Sequence, residues 1–186
     1  GPLGAQTTAL LPAGMLRRID TSRVNARAYL GVLGLTTGIT AWVGLDTIGG
    51  LVATDTVVVS AAAGATGSVA CEIARNRGAR VIGIAGGADK VRYLTDQLGC
   101  AAAIDYKSED VGARIAALAP AGVSLFFDNV GGSILDAVLD NIAQEARVVI
   151  CGAMSQYPRL DNVTGPSRYL KLAERNATMR GFTVDH

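Results

Sequence analysis

The sequence predicts an α/β fold, a doubly wound parallel sheet of six strands with helices on both faces. Three observations predict it. Short apolar runs alternate with stretches of helical periodicity from Thr56 to the end of the chain. The strongest runs, VVV at 57–59, VIGIA at 81–85, LFF at 125–127 and VVI at 148–150, are continuous rather than alternating. Such strands are buried on both faces, as in parallel sheets. The first run also leads into a series of small residues, TVVVSAAAGATGSVA, where a tight turn into a helix is expected.

Each element follows from its own residues. Residues 5–27 read as an irregular lead-in, and Gly1-Pro2-Leu3-Gly4 as the remnant of a protease-cleaved tag. Gly31 to Gly50 reads as one long helix or two shorter ones bracing the sheet. Thr56 to Ser60 is the first strand. Ser68 to Arg77 is a helix with Val69, Ile73 and Ala74 on one face, ending at Gly78. Val81 to Ala85 is the second strand. Ala88 to Leu98 is helical, with Val91, Leu94 and Leu98 in phase and Gly99 as its stop. Ala102 to Tyr106 is a short strand. Ser108 is the expected cap of a helix carrying Val111, Ile115 and Leu118 before Pro120. Val123 to Asp128 is a strong strand, Ile134 to Ile142 a helix, and Ala146 to Cys151 another strong strand. Arg168 to Arg175 reads as helix and Met179 to Val184 as the final strand. Right-handed crossovers then give the strand order 3-2-1-4-5-6. The domain division is a lead-in over 1–27 and a nucleotide-binding domain over 28–186.

Composition narrows the function classes. The chain has 186 residues, 49% of them apolar, with a formal net charge of +1. That balance argues against a nucleic-acid surface, which clusters basic charge. No apolar stretch reaches the ~18 residues of a membrane span. Gly31 to Gly50 comes closest, broken by Thr36, Thr37, Thr40 and Asp46. Cys71, Cys100 and Cys151 form no C-x-x-C pair, and the single histidine is His186. Too few ligands are present for a structural zinc site, and three reduced, buried thiols fit a cytoplasmic protein. Ser60 and Ser68 lack a G-x-S-x-G elbow and an internal histidine, so serine hydrolysis is excluded. Arg17-Arg18 and Ser108-Glu109-Asp110 read as solvated surface.

The turn after the first strand carries Ala62-x-Gly64-x-x-Gly67. This is the Rossmann dinucleotide spacing, with alanine at the first glycine position. Gly64 lets backbone N–H groups approach a pyrophosphate, and Gly67 lets the helix pack close to the strand. The helix start then directs free N–H donors and its positive dipole end at the phosphates. Ala65 and Thr66 lie in the same turn and count with them as cofactor-binding residues.

From about Leu11 onward the chain resembles the cofactor domain of medium-chain dehydrogenase/reductases. It is most similar to the zinc-independent NADPH-dependent alkenal, enone and prostaglandin reductases, the leukotriene B4 dehydrogenase family. The blocks that carry the resemblance are YLGVLGLTTGITAWVGL, VVVSAAAGATGSVACEIA, VIGIAGGADKVRYLTDQLG, AAIDYKSED, FFDNVGGSILDAVL and ARVVICGAMSQY. The resemblance implies NADP as cofactor, a small α,β-unsaturated ketone or aldehyde as substrate, and a homodimer built through the terminal strand. Members of this family also carry an N-terminal substrate domain and a C-terminal completion of it, for which these residues have no counterpart. The chain therefore reads as the nucleotide-binding part alone, whose own turnover is in doubt. The alternative is a binding or dimerisation module without catalysis.

The second strand ends in Gly86-Gly87, without the acid that clasps a ribose 2′-hydroxyl in NAD sites. A Rossmann-like methyltransferase would also need that acid. An open glycine tip followed by a cation suits a 2′-phosphate. The resemblance implies that Lys90 contacts this phosphate with Tyr106 beside it. It implies a cofactor hydrogen bond from Asn129, which also reads as a simple turn residue before Val130-Gly131-Gly132. By the same resemblance the segment from Cys151 and Gly152 to Tyr157 lines the nicotinamide ribose. Tyr157 is the candidate catalytic residue, as a proton donor near the substrate oxygen, or else a loop anchor. Phe182 packs near the nicotinamide or simply in the core.

Overall fold

The structure, a computed structural model, describes residues 7–16 and 18–184, without the side chain of Arg159. Residues 1–4, which the sequence suggests are a tag remnant, lie outside the described residues, as do Arg17 and His186. Six strands form one parallel sheet: β1 Thr56–Val59, β2 Arg80–Ala85, β3 Ala102–Asp105, β4 Val123–Asp128, β5 Ile142–Ile150 and β6 Thr178–Gly181. Their order is β3-β2-β1-β4-β5-β6, as the crossover rule predicts. Val57 of β1 pairs with Val81 on one side and Leu125 on the other.

Alternate strand residues face opposite sides and build two cores. Val57, Val59 and Val81 face the helices α1 (residues 35–48) and α2 (Ala65–Asn76), where Leu45, Ala70, Cys71 and Ala74 are buried. Leu94 and Leu98 join this core from the helical segment α3 (residues 88–97) and the residue after it. Val58, Ile82, Ile84 and Phe126 face α4 (Val111–Leu118) and α5 (Gly132–Leu139), which bury Ile115, Leu135, Val138 and Leu139. Leu172 of a last helix, α6 (Leu170–Glu174), packs against the same core. Cys100 is buried with Cys71, whereas Cys151 is only half-buried. No helix among the described residues is long and apolar enough to cross a membrane.

Several boundaries differ from the sequence expectations, each for a physical reason. Within the region 31–50 a single continuous helix, α1, spans residues 35–48, much of it wound in the wider π register. α2 starts at Ala65, not Ser68, because Gly64 already serves as its extended N-cap. Asp110, not Ser108, caps α4, its Oδ1 accepting from Ala113 N at 2.9 Å. Glu109 accepts from Asp105 N at 2.8 Å and pairs with Arg114, so it is tied into the fold rather than merely solvated. α5 ends at Leu139, and Ile142, expected in that helix, opens β5. β5 is longer than expected because it carries a register shift opposite Val123 and Leu125. Glu145 takes φ +58 in that irregular stretch. β6 ends at Gly181, so Phe182 follows the strand instead of lying in it.

The end of the sheet away from the strand tips is pinned by charge. Asp55 is buried and forms an ion pair with Arg147. It also accepts from Ser124 Oγ at 2.7 Å and from Val52 N at 2.9 Å. Arg147 Nη1 donates to Gly50 O at 3.0 Å, joining α1 to β5.

Candidate functional site

The chain leaves β1 for α2 on one face and β4 for α5 on the other. Neighbouring strands whose connections part in this way open a crevice beyond their C-terminal ends. A cleft of about 730 Å³ lies there. Its walls come from the loops after all five strands β1 to β5.

The turn after β1 is built for close approach. Ala61 takes φ +47 and reverses the chain. A Cβ on Gly67 would lie 2.3 Å from Ala61 O and 2.9 Å from Ala62 Cα, so only glycine lets α2 sit on the turn. No side chain caps α2, which leaves its first N–H groups free beside Gly64 on the cleft wall. Thr66 Oγ1 is spent on Thr36 O at 3.2 Å, bracing α2 against α1.

The tip of β2 is bare by necessity. A Cβ on Gly86 would meet Tyr106 Cε1 at 2.8 Å and Lys107 Cε at 2.9 Å. Gly87 takes φ +97, and its N–H donates to Asp105 Oδ1 at 2.9 Å. That bond holds the Asp105 carboxyl below its ordinary range. Lys90 and Tyr106 stand exposed on the cleft wall.

The tip of β4 is a buried polar knot. Ser60 Oγ donates to Asp128 Oδ1 at 2.7 Å and accepts from Asn129 N at 2.7 Å. Asp128 also accepts from Val130 N at 2.9 Å and from Gly131 N at 3.0 Å. Asp128 is fully buried, and burial raises its carboxyl above the usual range despite these donors. Its carbonyl accepts from Cys151 N at 2.8 Å and Gly152 N at 3.1 Å, which binds the end of β5 to the same knot. Burial, then the Asp128 charge, pushes the Cys151 thiol up to about 11. The Asn129 amide donates to Ser60 O at 2.7 Å, a link between strand ends.

Of the residues singled out from the sequence, Gly64, Gly86, Lys90 and Tyr106 line the cleft together. Ala65, Thr66 and Gly67 form the helix start behind Gly64. Asn129, Cys151 and Gly152 belong to the knot beside the cleft. Tyr157 lies apart from the cleft wall and is 57% exposed, with its Oη 3.1 Å from where a Gly152 Cβ would stand. Phe182 packs in the core, its ring 2.8 Å from the site of a Gly44 Cβ and beside Phe127. Sequence reasoning missed Asp110, Val111 and Gly112, which line the cleft at the start of α4. It also missed Ile134 and Ala137 on α5, and Met154 and Ser155 after β5. For Asp110, Met154 and Ser155 a position within five residues of a strand end was the signal that could have found them.

Comparison with known proteins agrees with this layout. The family model for zinc-binding dehydrogenases matches residues 65–185. The chain is 44% identical over 188 residues to a Bacillus subtilis protein named as an NADP-dependent oxidoreductase, YfmJ, covering 99% of this chain and 55% of that one. It is 40% identical to the NADPH-dependent curcumin reductase of Escherichia coli, over 83% of this chain and 46% of the relative. The crystal structure of CurA with NADPH from Vibrio vulnificus superposes with a TM-score of 0.77 at 39% identity, covering 84% of this chain and 48% of CurA. The chain thus spans about half the length of the relatives it matches. Among the described residues no three His, Cys, Asp or Glu side chains stand together as metal ligands. A matched model over most of the chain, a shared fold and relatives at this identity agree: the chain belongs to the zinc-binding dehydrogenase family and corresponds to the nucleotide-binding part of its reductase members.

Proposed function

We propose that residues 28–186 hold NADPH for a zinc-independent, cytoplasmic reductase that saturates the C=C bond of α,β-unsaturated ketones or aldehydes. The cleft is the observation that carries this reading: Gly64, Gly86, Lys90 and Tyr106 converge on it from separate loops. The relatives support the chemistry, since they include a 2-alkenal reductase of Nicotiana tabacum at 36% identity. The cofactor, when bound, supplies the hydride.

The chain's own residues bind and orient. Gly64, with the uncapped N–H groups of Ala65, Thr66 and Gly67, receives the diphosphate. Lys90 and Tyr106, at the acid-free tip of β2, receive the 2′-phosphate. Asn129, Cys151 and Gly152 hold the ribose end through the knot at Asp128. As the β-carbon of the substrate is reduced, charge gathers on its carbonyl oxygen and needs a donor. Tyr157 Oη holds that proton, and Phe182 supports the neighbouring strand end from the core.

A thermal shift with NADPH, NADH or neither tests the cofactor assignment. NADPH raises Tm more than NADH, and Lys90→Ala removes the difference. Equal shifts would reject the reading. Adding an enone and following NADPH absorbance tests the chemistry. The place of Tyr157, exposed and apart from the cleft wall, favours a second reading, a module that binds NADPH without turnover. It expects nicotinamide fluorescence to change while absorbance stays constant. A homodimer through β6 is also part of the proposal, since that edge strand is exposed along its whole length. Sizing chromatography of the chain tests it, and a monomer at high concentration would refute it.

A further inference from the structure

We propose that Lys107 is a second cation for the 2′-phosphate, closing with Lys90 and Tyr106 a seat around the Gly86 tip; this rests on the NADPH reading above. Lys107 stands just behind the cleft wall. Its Cε lies 2.9 Å from where a Gly86 Cβ would be, beside the Tyr106 ring carbons at 2.8 and 2.9 Å. The tip of β2 is therefore bare because an aromatic ring and a lysine stem fold over it. The Lys107 ammonium is one bond beyond that Cε.

The lysine is held in this place by its backbone. Asp105 Oδ1 accepts from Gly87 N at 2.9 Å and from Lys107 N at 3.0 Å, so one carboxylate locks the two turns together. The Asp105 carbonyl accepts from Ser108 N at 3.1 Å and Glu109 N at 2.9 Å, tightening the turn that follows.

Charge bookkeeping at the tip points the same way. The nearby acids have other partners: Asp89 pairs with Arg92, Glu109 with Arg114, and Asp110 caps α4. Asp105 is occupied by backbone N–H groups. Among the described residues neither Lys90 nor Lys107 takes part in an ion pair. Lys90 lines the cleft and the Lys107 stem lies over Gly86, so a dianion seated at this tip has two cations to draw on. A phosphate monoester carries about −1.5 to −2 charges at pH 7, more than one lysine neutralises. Lysine serves here as a point charge on phosphate. The neutral 2′-hydroxyl of NADH gains nothing from it, so the second cation sharpens discrimination.

Calorimetric titration of the full chain with 2′,5′-ADP and with 5′-ADP tests this. Lys107→Met keeps the aliphatic stem over Gly86 and removes the charge, and Lys107→Arg restores the charge. The wild-type chain prefers 2′,5′-ADP. Lys107→Met weakens 2′,5′-ADP about tenfold, about 1.4 kcal/mol, with 5′-ADP unchanged. Lys107→Arg recovers most of the loss. Equal weakening of both nucleotides by Lys107→Met would assign Lys107 a packing role and overturn the proposal. Full retention of the wild-type preference in Lys107→Met would overturn it while leaving the NADPH reading intact. A wild-type chain that binds both nucleotides alike, or neither, would reject the NADPH reading and this inference with it.

Discussion

The Ser60 hydroxyl donates to Asp128 Oδ1 at 2.7 Å with both residues fully buried, tying the end of β1 to the end of β4 where the sheet's connections part. This single bond sits beneath the cleft. Through the other donors to Asp128 it sets the course of Val130 and Gly131, two cleft-lining residues.

Ser60→Ala leaves Asn129 N without its acceptor and Asp128 without one donor in a dry site. Stability falls by about 2 kcal/mol. Chemical denaturation with urea measures it, and a loss within error of zero would mean the knot is not a structural tie.

Asp128 has a pH signature. Its carboxyl is raised in the folded state, chiefly by burial, so the native protein holds this proton more tightly than the unfolded chain does. The group's contribution to stability therefore falls as pH rises from the ordinary carboxylate range through its raised native value. Asp128→Asn removes that fall. Melting curves from acid to neutral pH should show the wild type losing ground relative to the variant as pH rises. A constant gap between them across this range would contradict the assignment.

Gly67→Ala forces a Cβ to 2.3 Å from Ala61 O, a backbone atom that cannot swing aside. The start of α2 must shift from the turn, at a cost of about 2 kcal/mol in stability. Cofactor affinity falls with it, because the uncapped N–H groups move. Denaturant midpoints and NADPH titration together check this. A variant with unchanged midpoint and affinity would show that the turn has slack.

Arg147→Ala strips the buried Asp55 of its ion-pair partner. Removing one partner of a buried ion pair costs about 3–5 kcal/mol, and the donors left to Asp55, Ser124 Oγ and Val52 N, place the loss at the lower end. The knot at Asp128 stands at the opposite end of the strands, so cofactor binding by the remaining folded protein stays close to wild type. Urea denaturation and calorimetry read the two quantities separately.

Cys151 sits next to the knot with its thiol pushed up to about 11. The thiolate is the reactive form, so alkylation by iodoacetamide is slow at pH 7–8 and climbs steeply above pH 10. Peptide mapping after timed labelling follows it. Rapid labelling of Cys151 at neutral pH would contradict the burial seen here.

The strand cores and their order were readable in the residues because buried parallel strands demand continuous apolar runs such as Val57–Val59 and Leu125–Phe127. Gly64 and Gly67 were readable from the fingerprint spacing, and at Gly67 the backbone approach leaves room for glycine alone. Boundaries were less so. Ile142 reads in the sequence as the end of the helix from Ile134, yet the irregular start of β5 claims it. Ser108 and Asp110 are both good caps, and the turn held by Asp105 selected the second.

Local composition and period thus determined the α/β architecture, the strand order and the glycine turn facing the cleft, because these depend on neighbours along the chain. Tertiary structure alone decided that Asp110 and Met154 share a wall, that Asn129 spends its amide on Ser60, that Phe182 lies on Gly44, and that Lys107 folds over Gly86. Those relationships join residues from separate loops, and only the packing of one strand end against another brings them within reach.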